Sequence, residues 1–298
     1  MSKAFRHISH GSRRLAGYSM TARTQKAGKR TVLRAWGGTL LVCALNPEAV
    51  YMAADSRYVG LGPPLADRAH KVVGIGPSAL CGFSGLLRFT RTVFNDQERT
   101  AIDEATFELP AIVSQLAPLQ AQPKPENIAS SFAEAVECAV APIWKRFGGE
   151  LDEPFRHPQS RSNRLAELVY LDRSPDGYVS FVALELRYSS HRTGTHTYEI
   201  LLEKPVVKSR LFGRVPTPVV HWRGMTSCVA DKGTLNMAEF QKGPAAAILK
   251  AFASAQMTRR CKSAIGGPID IGSIGASGRR WIQSKREPTV SDRAPERP

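Results

Sequence analysis

Four residues stand at spacings that suit nucleophilic hydrolysis. Thr39 follows Gly37-Gly38, where a basic leader without acidic residues gives way to strand patterns. Asp55 lies sixteen residues after Thr39, Lys71 thirty-two after and Gly85 forty-six after. A threonine hydroxyl is a weak nucleophile and needs a base. A cut after Gly38 supplies one: the new α-amine, with a pKa of about 8, is partly neutral at cellular pH. A threonine served by its own N-terminal amine is an established nucleophile–base pair. Such a group gains from a cation that favours the alkoxide, a carboxylate that holds the cation, and a backbone amide that receives the oxyanion. Lys71, Asp55 and Gly85 are of the right types for these three tasks.

The elements around them follow from hydrophobic periodicity. Residues 39–45 and 50–57 read as strands joined by the Asn46-Pro47-Glu48 turn, and 71–75 and 79–83 as two more. Asp55, Lys71 and Gly85 therefore fall at or just beyond strand ends. Residues 86–99 carry Leu86, Leu87, Phe89, Val93 and Phe94 at helical spacing, which predicts a helix. A Pro/Gln-rich connector over 108–125 leads to a second helix over 127–147, stopped by Gly148-Gly149. After a polar loop, strands are expected near 165–172, 177–188, 194–203 and 216–223. A helix over 243–260 and strands near 268–274 and 279–284 complete the domain. Strands come in groups and do not alternate with helices, which favours antiparallel sheets with helices packed outside them.

Composition sets the limits. The 298 residues are 42% hydrophobic and 22% charged, as expected of a globular chain. No apolar run reaches the length of a membrane-spanning helix, so no membrane partner is expected. The five cysteines form no C-x-x-C pair, and most lie in apolar segments, which points to free thiols in a reducing, cytoplasmic setting. The histidines show no metal-ligand spacing, and no cofactor is called for. Of the formal net charge of +15, nine charges come from Lys3, Arg6, Arg13, Arg14, Arg23, Lys26, Lys29, Arg30 and Arg34 in residues 1–38. The tail has no apolar signal core. A propeptide, an organelle transit peptide, a nucleic-acid arm and a false start ahead of Met20 all fit it. The remaining six charges are spread over 260 residues, so a nucleic-acid partner is not expected of the domain.

Two further motifs carry no chemistry. Gly74-Ile75-Gly76-Pro77-Ser78-Ala79 mimics a dinucleotide fingerprint but precedes a strand where a helix is required. Gly82-Phe83-Ser84-Gly85-Leu86 approaches a nucleophile elbow but lacks the final glycine and a βαβ context.

Thr39, the Ala-Ala-Asp-Ser-Arg that ends at Arg57, His70-Lys71-Val72, and Gly82-Phe83-Ser84-Gly85 resemble the N-terminal half of proteasome β-type subunits and their bacterial relatives, which are N-terminal-nucleophile hydrolases. The resemblance covers residues 38–100 and extends more loosely to 284. It implies a four-layer αββα sandwich of two antiparallel sheets over 39–284, preceded by a basic propeptide or disordered tail (1–38). Residues 285–298 are charged and Pro-rich, which predicts a disordered C-terminal tail. The resemblance also implies self-cleavage at Gly38-Thr39, with Thr39 as nucleophile, Lys71 assisting it, Asp55 orienting Lys71 and the Gly85 amide in the oxyanion hole. Arg223-Gly224-Met225-Thr226-Ser227 is similar to the family's Gly-x-x-Ser segment, which implies that Ser227 assists. The family also carries an aspartate and a serine just before a Gly-Gly; here those positions are Lys262 and Ile265. The implied activity is a threonine-type peptidase or amidohydrolase acting on a peptide or small amide, in a homo-oligomer of rings or stacked dimers. Two alternatives remain: a catalytically silent structural subunit that keeps residues 1–38, and nucleic-acid binding through the basic tail.

Overall fold

The computed structural model describes residues 23–26, 29–38, 40–57, 59–60, 69–95, 97, 100–116, 125–145, 164–192, 198–212, 219–224, 235–258 and 265–283. The strands are β1 (Arg23–Lys26), β2 (Lys29–Gly38), β3 (Leu40–Leu45), β4 (Val50–Asp55), β5 (Val59–Gly60), β6 (Val72–Ile75), β7 (Ala79–Asn95) and β8 (Thr100–Glu108). They continue as β9 (Arg164–Arg173), β10 (Val179–Arg192), β11 (Tyr198–Leu202), β12 (Val206–Phe212), β13 (Val219–Gly224), β14 (Ile269–Gly275) and β15 (Gly278–Gln283). The helices are α1 (Leu109–Ser114), α2 (Pro125–Lys145), α3 (Met237–Lys242) and α4 (Pro244–Gln256). None of them is long and apolar enough to cross a membrane.

All pairings are antiparallel. A five-stranded sheet runs β13-β3-β4-β14-β15. A ten-stranded sheet follows the path β1-β2-β7-β9-β10-β11, with β5 on β2, β6 and β8 on β7, and β12 on β10. β3 and β4 explain why the smaller sheet sits at the centre: every residue of Leu-Leu-Val-Cys-Ala-Leu and Val-Tyr-Met-Ala-Ala-Asp is buried. Their alternation sends one set of side chains to each face. Leu41, Cys43, Leu45, Val50, Met52 and Ala54 meet Leu80, Val169, Leu171 and Phe181 of the larger sheet. Leu40, Val42, Ala44, Tyr51 and Ala53 meet Phe240, Ile248 and Phe252 of α3 and α4. On the far side of the larger sheet, Phe83, Phe89, Phe107 and Tyr170 pack on Phe132, Val136 and Trp144 of α2. Gly82 allows the sheets to approach, since a Cβ there would lie 2.5 Å from Leu41 Cδ1 and 2.7 Å from Met52 Sδ.

The expected four-layer αββα sandwich is corrected. The chain is mostly strand, carried by two unequal antiparallel sheets, and only four helices occur among the described residues. Two of these, α1 and α3, are six residues long. The largest single error is the helix expected over 86–99. Residues 86–95 of that span instead continue β7, which runs seventeen residues in all. They are paired by β2 on one side and β8 on the other. Leu87 and Phe89 are buried two residues apart, which is strand spacing, while Arg88 and Arg91 are only partly buried. A cluster of Leu, Phe and Val fits both periods, and two flanking partners decide for the strand.

A second difference is in the basic leader. Arg23–Lys26 and Lys29–Gly38, expected to lack structure, are strands. β12 and α3 also had no counterpart in the sequence reading. The helices over 127–147 and 243–260 are present as α2 and α4, each displaced by a few residues. The expected C-terminal tail, 285–298, lies outside the described residues.

Candidate functional site

β4 ends on Asp55, across from Ile269 of β14. Its carboxylate is fully buried and is held from four directions. Oδ1 accepts the Leu40 N–H at 3.2 Å and Lys71 Nζ at 3.0 Å. Oδ2 accepts the N–H groups of Arg57 at 3.2 Å and Gly266 at 3.3 Å. Three backbone donors and one ammonium satisfy a group that would be costly to bury alone.

Lys71 precedes β6, where its carbonyl accepts the Phe83 N–H at 2.9 Å. Its side chain is also fully buried and donates both to Asp55 and to the Arg57 carbonyl, the latter at 2.6 Å. Gly266 closes the arrangement, its carbonyl accepting the N–H groups of Ser56 and Arg57 at 3.1 and 3.0 Å. The expected pairing of Lys71 with Asp55 is therefore present, and it is linked through Leu40 to the head of β3.

Gly85 lies on the central strand of the larger sheet. It pairs with Gly38 of β2 and with Ala166 of β9, so β2 and β9 flank β7 on opposite sides. Gly82 likewise pairs with Val72 of β6 and Val169 of β9. β2 and β6 thus share one edge of β7, end to end. Gly38 arrives two β7 positions from Phe83, the residue bonded to the Lys71 carbonyl, about 7 Å along the strand. Gly85 has φ +87°, and a Cβ there would lie 2.8 Å from the Leu165 carbonyl oxygen, so no other residue fits without strain.

Thr39 and Ser227 lie outside the described residues, as does Lys262. The neighbours of Thr39 are placed. Gly38 ends a strand of the larger sheet, and Leu40 begins a strand of the smaller one. β13, which leads toward Ser227, ends with Gly224 paired to Leu40. Ile265 is a buried apolar residue, 1% exposed, and offers no polar side chain at the position where the resemblance has a serine.

The structure adds groups that the sequence reading missed. The Arg57 carbonyl and the Gly266 amide are backbone atoms, which no side-chain pattern reveals. Glu167 of β9, opposite Ser84 of β7, meets Arg223 of β13 at 3.3 Å and joins the two sheets beside the head of β3. A glutamate inside the apolar run Leu-Ala-Glu-Leu-Val-Tyr was a usable signal. Phe181 stacks 5.0 Å from His221, whose pKa falls to about 4, chiefly through burial and then through Arg223 and Arg210. The buried thiol of Cys43 is pushed up to about 12 by burial, and that of Cys81 is raised well above its usual range by burial. Neither is a competing nucleophile.

No protein-family model matches the chain. No curated protein matches it significantly.

Proposed function

We propose that the protein is a threonine-type N-terminal-nucleophile amidohydrolase that cleaves its own Gly38-Thr39 bond. One observation carries the reading: a fully buried Lys71–Asp55 ion pair whose carboxylate also binds the N–H of Leu40, the residue after Thr39. A buried pair of this kind is weak evidence for stability alone. Its placement beside a Gly-Thr junction gives it a chemical task. In self-processing, Thr39 Oγ attacks the Gly38 carbonyl and the amide nitrogen leaves with a proton as the Thr39 amine. Water then hydrolyses the resulting ester, releasing the Gly38 carboxylate and restoring the hydroxyl. In later turnovers the amine accepts the Oγ proton, the Lys71 ammonium stabilises the alkoxide, and Asp55 holds Lys71 in place. Gly85 is the candidate for the oxyanion amide and Ser227 for an auxiliary role. The substrate is a peptide or small amide, and no cofactor is required. The free thiols of Cys43, Cys81 and Cys138 support a reducing, cytoplasmic setting, and the resemblance supports a homo-oligomer.

The N-terminus of the purified protein tests the reading. Intact-mass spectrometry of denatured protein is expected to show a chain beginning at Thr39 and a Thr39→Ala protein of full length. A wild-type chain that keeps residues 1–38 would defeat the reading. It would favour instead a catalytically silent structural subunit, the alternative that the apolar Ile265 supports.

A further inference from the structure

The strand that ends at the cleavage point is built into the larger sheet. β2 pairs with β7 from Lys29↔Asn95 to Gly38↔Gly85. Its other edge is engaged at both ends: Arg23–Lys26 of β1 pair with residues 29–32, and Val59 and Gly60 of β5 pair with Gly37 and Trp36. Breaking the Gly38-Thr39 bond removes none of these pairings. Departure of the strand, by contrast, would strip one edge of β7 over residues 85–95 and leave the N–H and C=O groups on that edge without ladder partners, an arrangement that proteins avoid.

Resting on the cleavage reading above, we infer that the cut tail stays bound. After cleavage β2 remains the partner of β7 as a separate chain, with the new Gly38 carboxylate at the head of the site. This has a consequence for turnover. Any substrate must bring its carbonyl to the place the Gly38 carbonyl held. A peptide that does so in extended form takes the same edge of β7 beyond Gly85. The retained tail is therefore a bound product and a competitor, and turnover of added peptides is gated by its departure. The occupant of this edge is a defined segment of the chain itself, residues 29–38, with Ala-Trp-Gly-Gly nearest the cut.

The full-length protein as expressed provides the test. Denaturing mass spectrometry reports the cut, and native mass spectrometry of the same sample reports whether the fragments remain together in a one-to-one complex. Turnover of a fluorogenic peptide amide is then measured before and after releasing the tail in mild urea and exchanging the buffer. A synthetic peptide of residues 29–38 is finally added back. The expected result is a cut chain, a retained tail, at least a tenfold gain in turnover on release, and loss of that gain on adding the peptide. A protein carrying both Val32→Pro and Leu33→Pro, which puts proline at two adjacent positions of the β2–β7 ladder so that one of them falls at a hydrogen-bonded position, should be cut and lose its tail without urea. A cut chain that purifies without its tail and ignores the added peptide would overturn the inference while leaving the cleavage reading intact. An uncut chain would overturn the cleavage reading, and this inference with it.

Discussion

At the residue scale the decisive contact is Lys71 with Asp55. Both side chains are fully buried, so Lys71→Ala leaves a carboxylate without its cation in the interior. That change should cost about 3–5 kcal/mol in denaturant unfolding and should also stop tail cleavage. Lys71→Arg should not restore cleavage, because a planar guanidinium does not fit where a compact ammonium reaches both Asp55 and the Arg57 carbonyl. Stability within half a kcal/mol of wild type in Lys71→Ala would show that the pair is not as buried as described. His221 gives a second residue-level test. Its pKa lies near 4, below the usual 6.5, so the folded state binds fewer protons than the unfolded one. Its contribution is complete above pH 6.5 and is lost as pH falls toward 4. The loss is on the order of 2–3 kcal/mol, and a His221→Gln protein should show a flatter pH dependence over that window. Asp55 and Lys71 were legible in the sequence because chemistry limits their types and strand ends limit their positions. The Arg57 carbonyl and Gly266 amide were not, because any residue supplies a carbonyl and nearly any supplies an amide.

At the scale of elements, β7 shows where sequence reasoning fails. Leu86, Leu87, Phe89, Val93 and Phe94 satisfy a helical stripe and also a strand, and the sequence does not say that β2 and β8 will flank them. The two readings predict different energetics. In a helix, Leu87 and Phe89 lie about 200° apart, so only one of them faces a core. In the observed strand they share a face and are 0% and 1% exposed. Leu87→Ala and Phe89→Ala should therefore each cost about 2–5 kcal/mol in urea unfolding. A large cost at one and almost none at the other would argue for the helix. β3 and β4 were legible because they are apolar on both faces and end at a clear Asn-Pro turn. β2 was hidden by its own charges. Thr31-Val32-Leu33 and Ala35-Trp36 have strand propensity, but the arginines and lysines around them read as a solvated tail.

At the scale of the whole molecule, these two errors explain why the expected architecture did not hold. Taking 86–99 as helix and 29–38 as leader moved an extended ladder out of the sheets, which made the sandwich look more helical and more symmetric than it is. Once both are strands, the leader becomes part of the larger sheet and its removal becomes a structural event. A chain expressed as residues 39–298 would lack β1 and β2 and expose the edge of β7. It should melt well below the full-length protein. In domains of roughly 150–250 residues each kcal/mol lost lowers the midpoint by about 2–4 °C, so a deficit of several kcal/mol is easily read in a thermal scan. Its bare edge should also raise its tendency to aggregate with concentration. Adding the peptide of residues 29–38 should recover part of the loss by mass action, in proportion to its occupancy. An inert leader predicts the opposite on every count: equal midpoints, no new aggregation and no response to the peptide. The comparison needs no catalytic activity, so it tests the place of the tail in the fold whether or not Thr39 ever becomes a nucleophile.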